Sequence, residues 1–174
     1  MNSMTEAEPP SRSGLILDIQ RVSRLNGLPG DAELEAWAGA ALAGEGPAEA
    51  TLRIVDEEEG AALNQRYRGR QGPTNVLSFP FEAPPGVELP LLGDLVVCAP
   101  VVRREAREQG KPEAAHWAHM LVHGMLHLQG HDHQTEDEAA RMEALERDIL
   151  AGLGFPDPYQ PSGDSAAAAE QKAP

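Results

Sequence analysis

The stretch that decides the fold reads His123-Gly-Met-Leu-His127-Leu-Gln-Gly130-His131-Asp132-His133, and it combines a helical spacing with a glycine break. A helix turns by about 100° per residue, so His123 and His127 lie one turn apart on the same face. Gly130 can adopt a positive φ, which ends the helix and turns the chain back towards that face. His133 is therefore expected beside the other two, and the three imidazoles predict one metal site at a helix end.

The other three histidines of the chain lie in the same region, between positions 116 and 133. His119 continues the stripe of the two helical ligands, but three such residues span two turns, about 12 Å, which is too long for one ion. We therefore expect His119 to pack or to support a ligand, and His116 to be structural. His131 stays open as an alternative to His133 for the third ligand.

Three neutral imidazoles with an open fourth position are typical of a catalytic zinc ion rather than of a closed structural site. Asp132 or the backbone could orient a ligand ring. Nickel can also occupy three imidazoles, particularly in a sample purified on nickel resin. The pattern is close to the HExxHxxGxxH motif of metzincin proteases, but Gly124 stands where those enzymes carry a glutamate. A glycine cannot act as a general base, which weakens the peptidase interpretation.

Working outward, the pattern predicts an α+β single domain with one mixed sheet of about four strands and about five helices. Strands are predicted at 15–22, 51–56, 75–81 and 93–98, and helices at 31–43, 57–67, from 100 onward, 112–128 and 135–150. Asp31 is predicted to cap the first helix, and Thr135 with Glu138 forms a capping box for the last. Pro80 places its strand at an edge or marks the strand's end. The domain is expected over 14–156, between disordered tails at 1–13 and 157–174.

The formal charge of −14 by itself argues against a nucleic-acid partner. The segment 60–112 nevertheless has seven basic and five acidic residues, a net +2, which leaves −16 for the remainder. The basic residues are Arg66, Arg68, Arg70, Arg103, Arg104, Arg107 and Lys111. They form either a local basic face or, for the three arginines at 103–107, an ordinary solvated helix face.

The chain has a single cysteine, Cys98, in the apolar run LVVCAP, and we expect a buried structural thiol. A lone cysteine cannot form an internal disulfide, which fits a reducing cytoplasm. The N-terminus lacks the features of a signal peptide, and no run of about 18 apolar residues predicts a membrane span. These observations predict a cytoplasmic protein without a membrane partner.

The sequence resembles the YbeY family, bacterial endoribonucleases of ribosomal RNA maturation. The resemblance runs from about residue 50 to 159, and more weakly before that. Its residues are the histidine motif above, Tyr67-Arg68-Gly69, Pro73-Thr74-Asn75-Val76-Leu77-Ser78-Phe79-Pro80-Phe81 and Leu92-Gly93-Asp94-Leu95. One departure is His131, where the family usually has tyrosine.

The resemblance implies a metal-dependent enzyme that acts on single-stranded RNA, in 3′-end maturation of 16S ribosomal RNA and in ribosome quality control. It maps the metal ligands onto His123, His127 and His133, and a functionally important arginine onto Arg68. Phosphodiester cleavage builds negative charge that zinc and an arginine can stabilise, which is compatible with these residues. The nucleophile, water or the substrate's own 2′-OH, stays open.

Two other interpretations stay open beside the RNA hydrolase. One is an unusual zinc peptidase, which the motif spacing favours and Gly124 disfavours. The other is a ribosome-binding assembly factor with a structural metal, since an acidic protein suits contact with basic small-subunit ribosomal proteins as well as RNA.

Overall fold

Four segments with alternating or continuous apolar residues form the sheet, as both patterns are typical of strands. The computed structural model describes residues 14–44 and 46–160, and its strands are β1 (Leu15–Arg21), β2 (Ala48–Val55), β3 (Val76–Pro80) and β4 (Leu91–Cys98). The order across the sheet is β1-β2-β4-β3. Strands β1, β2 and β4 are parallel, and β3 runs antiparallel to β4. The predicted mixed sheet of four strands is confirmed.

Helices cover both faces of this sheet. The described residues form α1 (Asp31–Ala40), α2 (Glu57–Arg68), α3 (Ala99–Gln109), α4 (Glu113–Leu128) and α5 (Glu136–Gly152). Successive side chains of β4 point to opposite faces of the sheet and into two hydrophobic cores. Leu95 and Val97 belong to the larger core, with residues of α1, α4 and α5. Val96 and Cys98 belong to a smaller core, with residues of α2. Helix α4 therefore lies between the sheet and α5, and α2 covers the opposite face.

The boundaries of the first helix differ from the prediction. Asp31 was predicted as the cap, but Gly30 occupies the capping position, and its N–H donates to Glu33 Oε1 at 3.0 Å. The Asp31 carboxylate instead accepts from Arg21 at 2.7 Å. The helix ends at Ala40 rather than near residue 43, because the side chain of Gln129 binds the backbone that follows it, with its Nε2 2.7 Å from the Ala41 carbonyl oxygen.

Two strands begin earlier than predicted. Strand β2 starts at Ala48 rather than 51, and β4 starts at Leu91 rather than 93. The segment Ala48-Glu49-Ala50 has low strand propensity, but it pairs with β1 from Leu15 onward, and this pairing overrides the local preference.

Other local predictions are confirmed. Pro80 is the last residue of β3, which is an edge strand. The Thr135 hydroxyl accepts from the Glu138 N–H at 3.1 Å and completes the capping box of α5. Cys98 is a buried free thiol, and burial raises its pKa.

Of the tails predicted at 1–13 and 157–174, residues 1–13 and 161–174 lie outside the described residues. Residues 157–160 are described, and Tyr159 contacts α5 through Glu146. The domain bounds of 14–156 stay a prediction. In the described part of the chain, every helix is too short or too polar to cross a membrane.

Candidate metal centre

The end of α4 turns the chain so that a third histidine meets two helical ones. Gly130 has φ of 102°, and its N–H donates to the His127 carbonyl at 3.0 Å. The next N–H, of His131, reaches back to the Leu126 carbonyl at 3.1 Å. Asp132 Oδ1 then accepts from the His133 backbone N–H at 2.7 Å. The positive φ of the glycine is thus what reverses the chain, as the sequence predicted.

The structure brings together His123, His127 and His133. One ligand nitrogen from each lies within 4.8 Å of the others, so one metal ion could bind all three after small ring movements. The ring centroids are 4.7 Å (123–127), 5.0 Å (127–133) and 5.6 Å (123–133) apart. The two helical rings are half-buried and the third is exposed, which leaves one side of the group open to solvent. His131 is not part of this group.

A buried carboxylate stands behind the first of these histidines. Glu146, on α5, has 0% exposure, and its Oε2 lies 2.6 Å from His123 Nδ1. Its Oε1 lies 2.9 Å from His119 Nε2 and accepts from the Tyr159 hydroxyl. Because Nδ1 of His123 is engaged by the carboxylate, Nε2 is the nitrogen that remains for a metal ion.

The protonation states in this network suit metal binding. Burial alone would raise the pKa of the Glu146 carboxyl, but hydrogen bonds from His119, His123 and Tyr159 outweigh it and lower the pKa to about 2. Burial lowers the pKa of His119 despite its hydrogen bond to Glu146, so a neutral ring donates to an ionised carboxylate. Burial, with the neighbouring His123 and His133, also lowers the pKa of His127. A neutral imidazole is the form that binds a metal ion.

The two histidines expected to support the structure do so. His119 is buried and is hydrogen-bonded to Glu146, as described above. His116 is also buried, and its Nε2 lies 2.8 Å from Glu105 Oε1, which in turn accepts from Asn75 Nδ2 at 3.0 Å. The hydrogen bond with His116 lowers the pKa of Glu105.

Gly124 faces the sheet and packs against it. A Cβ at this position would lie 2.7 Å from Leu95 Cδ2 and 3.4 Å from Val76 Cγ2. Core side chains therefore occupy the space beside position 124, where metzincins carry their glutamate. A carboxylate at this position would point into apolar side chains. This packing gives a physical reason for the glycine and counts against the peptidase interpretation.

Arg68 is not part of the histidine group; it is the last residue of α2 and is exposed. Its guanidinium has no ion pair with a carboxylate in the segments 14–44 and 46–160. By contrast, Arg103 pairs with Glu113 at 2.9 Å and Arg104 with Glu57 at 2.8 Å. These two arginines are therefore part of surface ion pairs rather than of a free basic face.

A pocket of about 570 Å³ lies on the α2 face of the sheet. Tyr67, Phe79, Arg53, Glu59 and Asp94 are among its lining residues, and none of the three clustered histidines lines it. The histidine group is therefore separate from this pocket.

Sequence reasoning missed Glu146 and Tyr159. The signal for Glu146 was present, because it lies on one stripe of α5 with Met142 and Leu150, each four residues away and 1% exposed. An acid within a buried stripe requires polar partners. Tyr159 had no such signal, since it was assigned to the C-terminal tail.

The chain is similar to known proteins. A family model described as Endoribonuclease YbeY matches residues 32–154. The Endoribonuclease YbeY of Alkalilimnicola ehrlichii (strain ATCC BAA-1101 / DSM 17681 / MLHE-1) is 64% identical over 152 residues, covering 84% of this chain and 92% of that relative. The solution structure of TM1509 from Thermotoga maritima is 22% identical, with a TM-score of 0.46, and covers 82% of this chain and 99% of that one.

Proposed function

The chain belongs to the YbeY family of endoribonucleases, and on this premise we propose that it is a zinc-dependent enzyme that cuts single-stranded ribosomal RNA. Family membership shows the general activity, which is that of an RNA endonuclease. We propose more specifically that the enzyme acts in 3′-end maturation of 16S ribosomal RNA and in ribosome quality control in the cytoplasm. Its proposed partners are the ribosome and small-subunit ribosomal proteins, whose basic surfaces suit a chain of net charge −14.

The single observation that carries the metal proposal is the group of His123, His127 and His133, with ligand nitrogens within 4.8 Å of one another. Three imidazoles with an open side suit zinc as a catalytic rather than a structural ion. A bound zinc ion would supply Lewis-acid stabilisation to a phosphoryl oxygen. We assign the three histidines as the metal ligands.

Arg68 is proposed to stabilise the transition state together with the metal. Its side chain is exposed and free of a carboxylate partner in the described segments, so its donors remain available to a phosphate. A guanidinium can donate two parallel hydrogen bonds to one phosphate, and this contact strengthens as charge builds on the oxygens. Removal of one such donor costs about 10²- to 10³-fold in kcat.

The test is cleavage of an end-labelled RNA that carries the 3′ region of 16S ribosomal RNA. The protein is purified without nickel resin, because nickel also binds three imidazoles, and is assayed with and without chelator. We expect zinc-dependent cleavage of the single strand, slower cleavage of the same RNA annealed to its complement, and none of casein. Casein cleavage that the chelator abolishes would support the peptidase instead.

Pairs of matched variants test whether cleavage depends on the proposed residues. His127→Ala should abolish cleavage, whereas His131→Ala, in the same segment but outside the group, should not. Arg68→Ala should lower kcat, and Arg70→Ala, another exposed arginine two residues away, should stay close to the unmodified chain. RNA cleavage that persists with chelator and in His127→Ala would reveal a contaminating nuclease and refute the proposal. A chelator that unfolds the protein, without cleavage of either substrate, would favour an assembly factor with a structural metal.

A further inference from the structure

The burial of the Glu146 carboxyl group needs an explanation that packing alone does not provide. This carboxylate has 0% exposure and shares one stripe of α5 with the buried Met142 and Leu150. Within the described part of the chain its ion-pair partners are histidines alone, without a lysine or arginine. A buried carboxyl group is costly unless polar partners satisfy its oxygens.

The geometry of the carboxylate locks it in one orientation. Its two oxygens face two histidines one turn apart on α4, with Oε1 2.9 Å from His119 Nε2 and Oε2 2.6 Å from His123 Nδ1. The Tyr159 hydroxyl donates to Oε1 from the C-terminal segment. Contacts on both oxygens restrict rotation of the carboxylate plane, so Oε2 is held in line with His123.

The C-terminal segment, residues 157–159, is held in place by contacts of its own. Asp157 Oδ2 accepts from Arg147 Nε at 3.0 Å, and the Pro158 carbonyl oxygen lies 3.3 Å from Lys111 Nζ. The guanidinium of Arg147 also lies over the Tyr159 ring, 5.5 Å from its centroid. These contacts hold the segment 157–159 against α5, where the Tyr159 hydroxyl meets Glu146.

We propose that Glu146 is a positioning residue for the metal site, whose carboxylate holds His123 as the Nδ1–H tautomer and so directs Nε2 at the metal ion. Tyr159 holds that carboxylate through its other oxygen, Oε1. An imidazole oriented by a carboxylate is a better metal ligand, because its tautomer and ring plane are set in advance and its basicity is raised. The inference rests on the proposed metal site but concerns residues that do not themselves touch the ion.

The first test is made without metal and does not depend on enzymatic activity. Long-range proton–nitrogen NMR of the chelator-treated protein, at about pH 8 and so above the ordinary histidine pKa of about 6.5, reports which ring nitrogen carries the proton. We expect the Nδ1–H form at His123 in the unmodified chain and a shift towards Nε2–H in Glu146→Gln. An Nε2–H form at His123 in the unmodified chain would overturn the inference.

The second test is zinc affinity, measured by competition with a coloured chelator. Glu146→Gln should weaken zinc binding by about 10- to 100-fold, and Tyr159→Phe, which keeps the ring and removes one donor, should weaken it less. Two controls remove a carboxylate elsewhere. Glu105→Gln neutralises the partner of the non-ligand His116, and Asp148→Asn removes an exposed acid on α5; neither should change affinity by more than about twofold.

The outcomes separate this inference from the proposed function. If the unmodified chain binds no zinc, the metal proposal fails, and the tautomer measurement still decides the role of Glu146. If Glu146→Gln is folded by circular dichroism and binds zinc as tightly as the unmodified chain, the positioning role is wrong. If Glu146→Gln does not fold, Tyr159→Phe decides: unchanged affinity and an unchanged His123 tautomer in that variant would overturn the inference.

Discussion

Gly124→Glu converts the helix motif into the His-Glu-x-x-His form of zinc proteases, and it tests where this helix position points. Position 124 faces the sheet, where even a Cβ would lie 2.7 Å from Leu95 Cδ2 and 3.4 Å from Val76 Cγ2. A glutamate there has its carboxylate directed into the larger core rather than towards the metal ligands. We therefore expect a less stable protein that has not become a peptidase.

The magnitude follows from three effects on the free energy of unfolding. Overpacking of a filled core costs about 1–3 kcal/mol. A buried carboxylate without partners costs about a further 1–3 kcal/mol or more. Replacement of a helical glycine returns up to about 1 kcal/mol. The net loss is about 3 kcal/mol, which at about 2–4 °C per kcal/mol for a chain of this size lowers Tm by roughly 10 °C.

Thermal and urea unfolding of the metal-free protein measure this loss, and a casein assay with zinc measures peptidase activity. Gly152→Glu is the matched control, because it makes the same change near the end of α5, where nothing lies within 4 Å of the added Cβ. Its stability should differ by less than about 0.5 kcal/mol. If Gly124→Glu proved as stable as Gly152→Glu, or cleaved casein, the described packing of α4 would be wrong.

Three further predictions concern the scaffold around the site. Gly93→Ala should lose about 3 kcal/mol or more in urea unfolding, because its φ is 140° and the new Cβ would lie 2.2 Å from a backbone oxygen of β3; unchanged stability would contradict that strand pairing. Glu105→Gln should be less stable than the unmodified chain at neutral pH, with a gap that narrows as pH falls below the ordinary value of 4.5, because the hydrogen bond with His116 lowers the folded-state pKa. A gap that stays constant with pH would refute this cause. Thr135→Ala should lose about 1 kcal/mol, since the hydroxyl no longer accepts from the Glu138 N–H, and an unchanged urea midpoint would show that the cap is not stabilising.

Most of the fold could be predicted because local signals and tertiary packing agree. The capping box at Thr135, the glycine break at Gly130 and Pro80 at the edge strand each act through neighbours in sequence. The errors lie where distant residues decide. Asp31 pairs with Arg21 instead of capping its helix, and Gln129 binds the backbone beyond the end of α1 from 88 residues away in sequence. A single sequence contains no local signal for such contacts.

The candidate site also combines features with local sequence signals and contacts between distant residues. The spacing of His123, His127 and His133 is local, and it predicted the three-histidine group. Glu146 reaches His123 across 23 residues, and Tyr159 reaches Glu146 from a segment with tail-like composition. Only the packing of α5 on α4 reveals that the acid and the ligand meet. The place of Arg68 in catalysis is a proposal that comes from family membership and from the lack of a carboxylate partner among residues 14–44 and 46–160.

The three histidines are proposed to hold the metal ion on which RNA cleavage depends. The most direct measurement is a zinc titration of the metal-free protein that follows bound zinc per chain and the rate of RNA cleavage in the same samples. We expect both to rise together and level off at one ion per chain, with His133→Ala losing both and His131→Ala keeping both. Full cleavage before zinc is added, or an unchanged tight zinc site in His133→Ala, would contradict it.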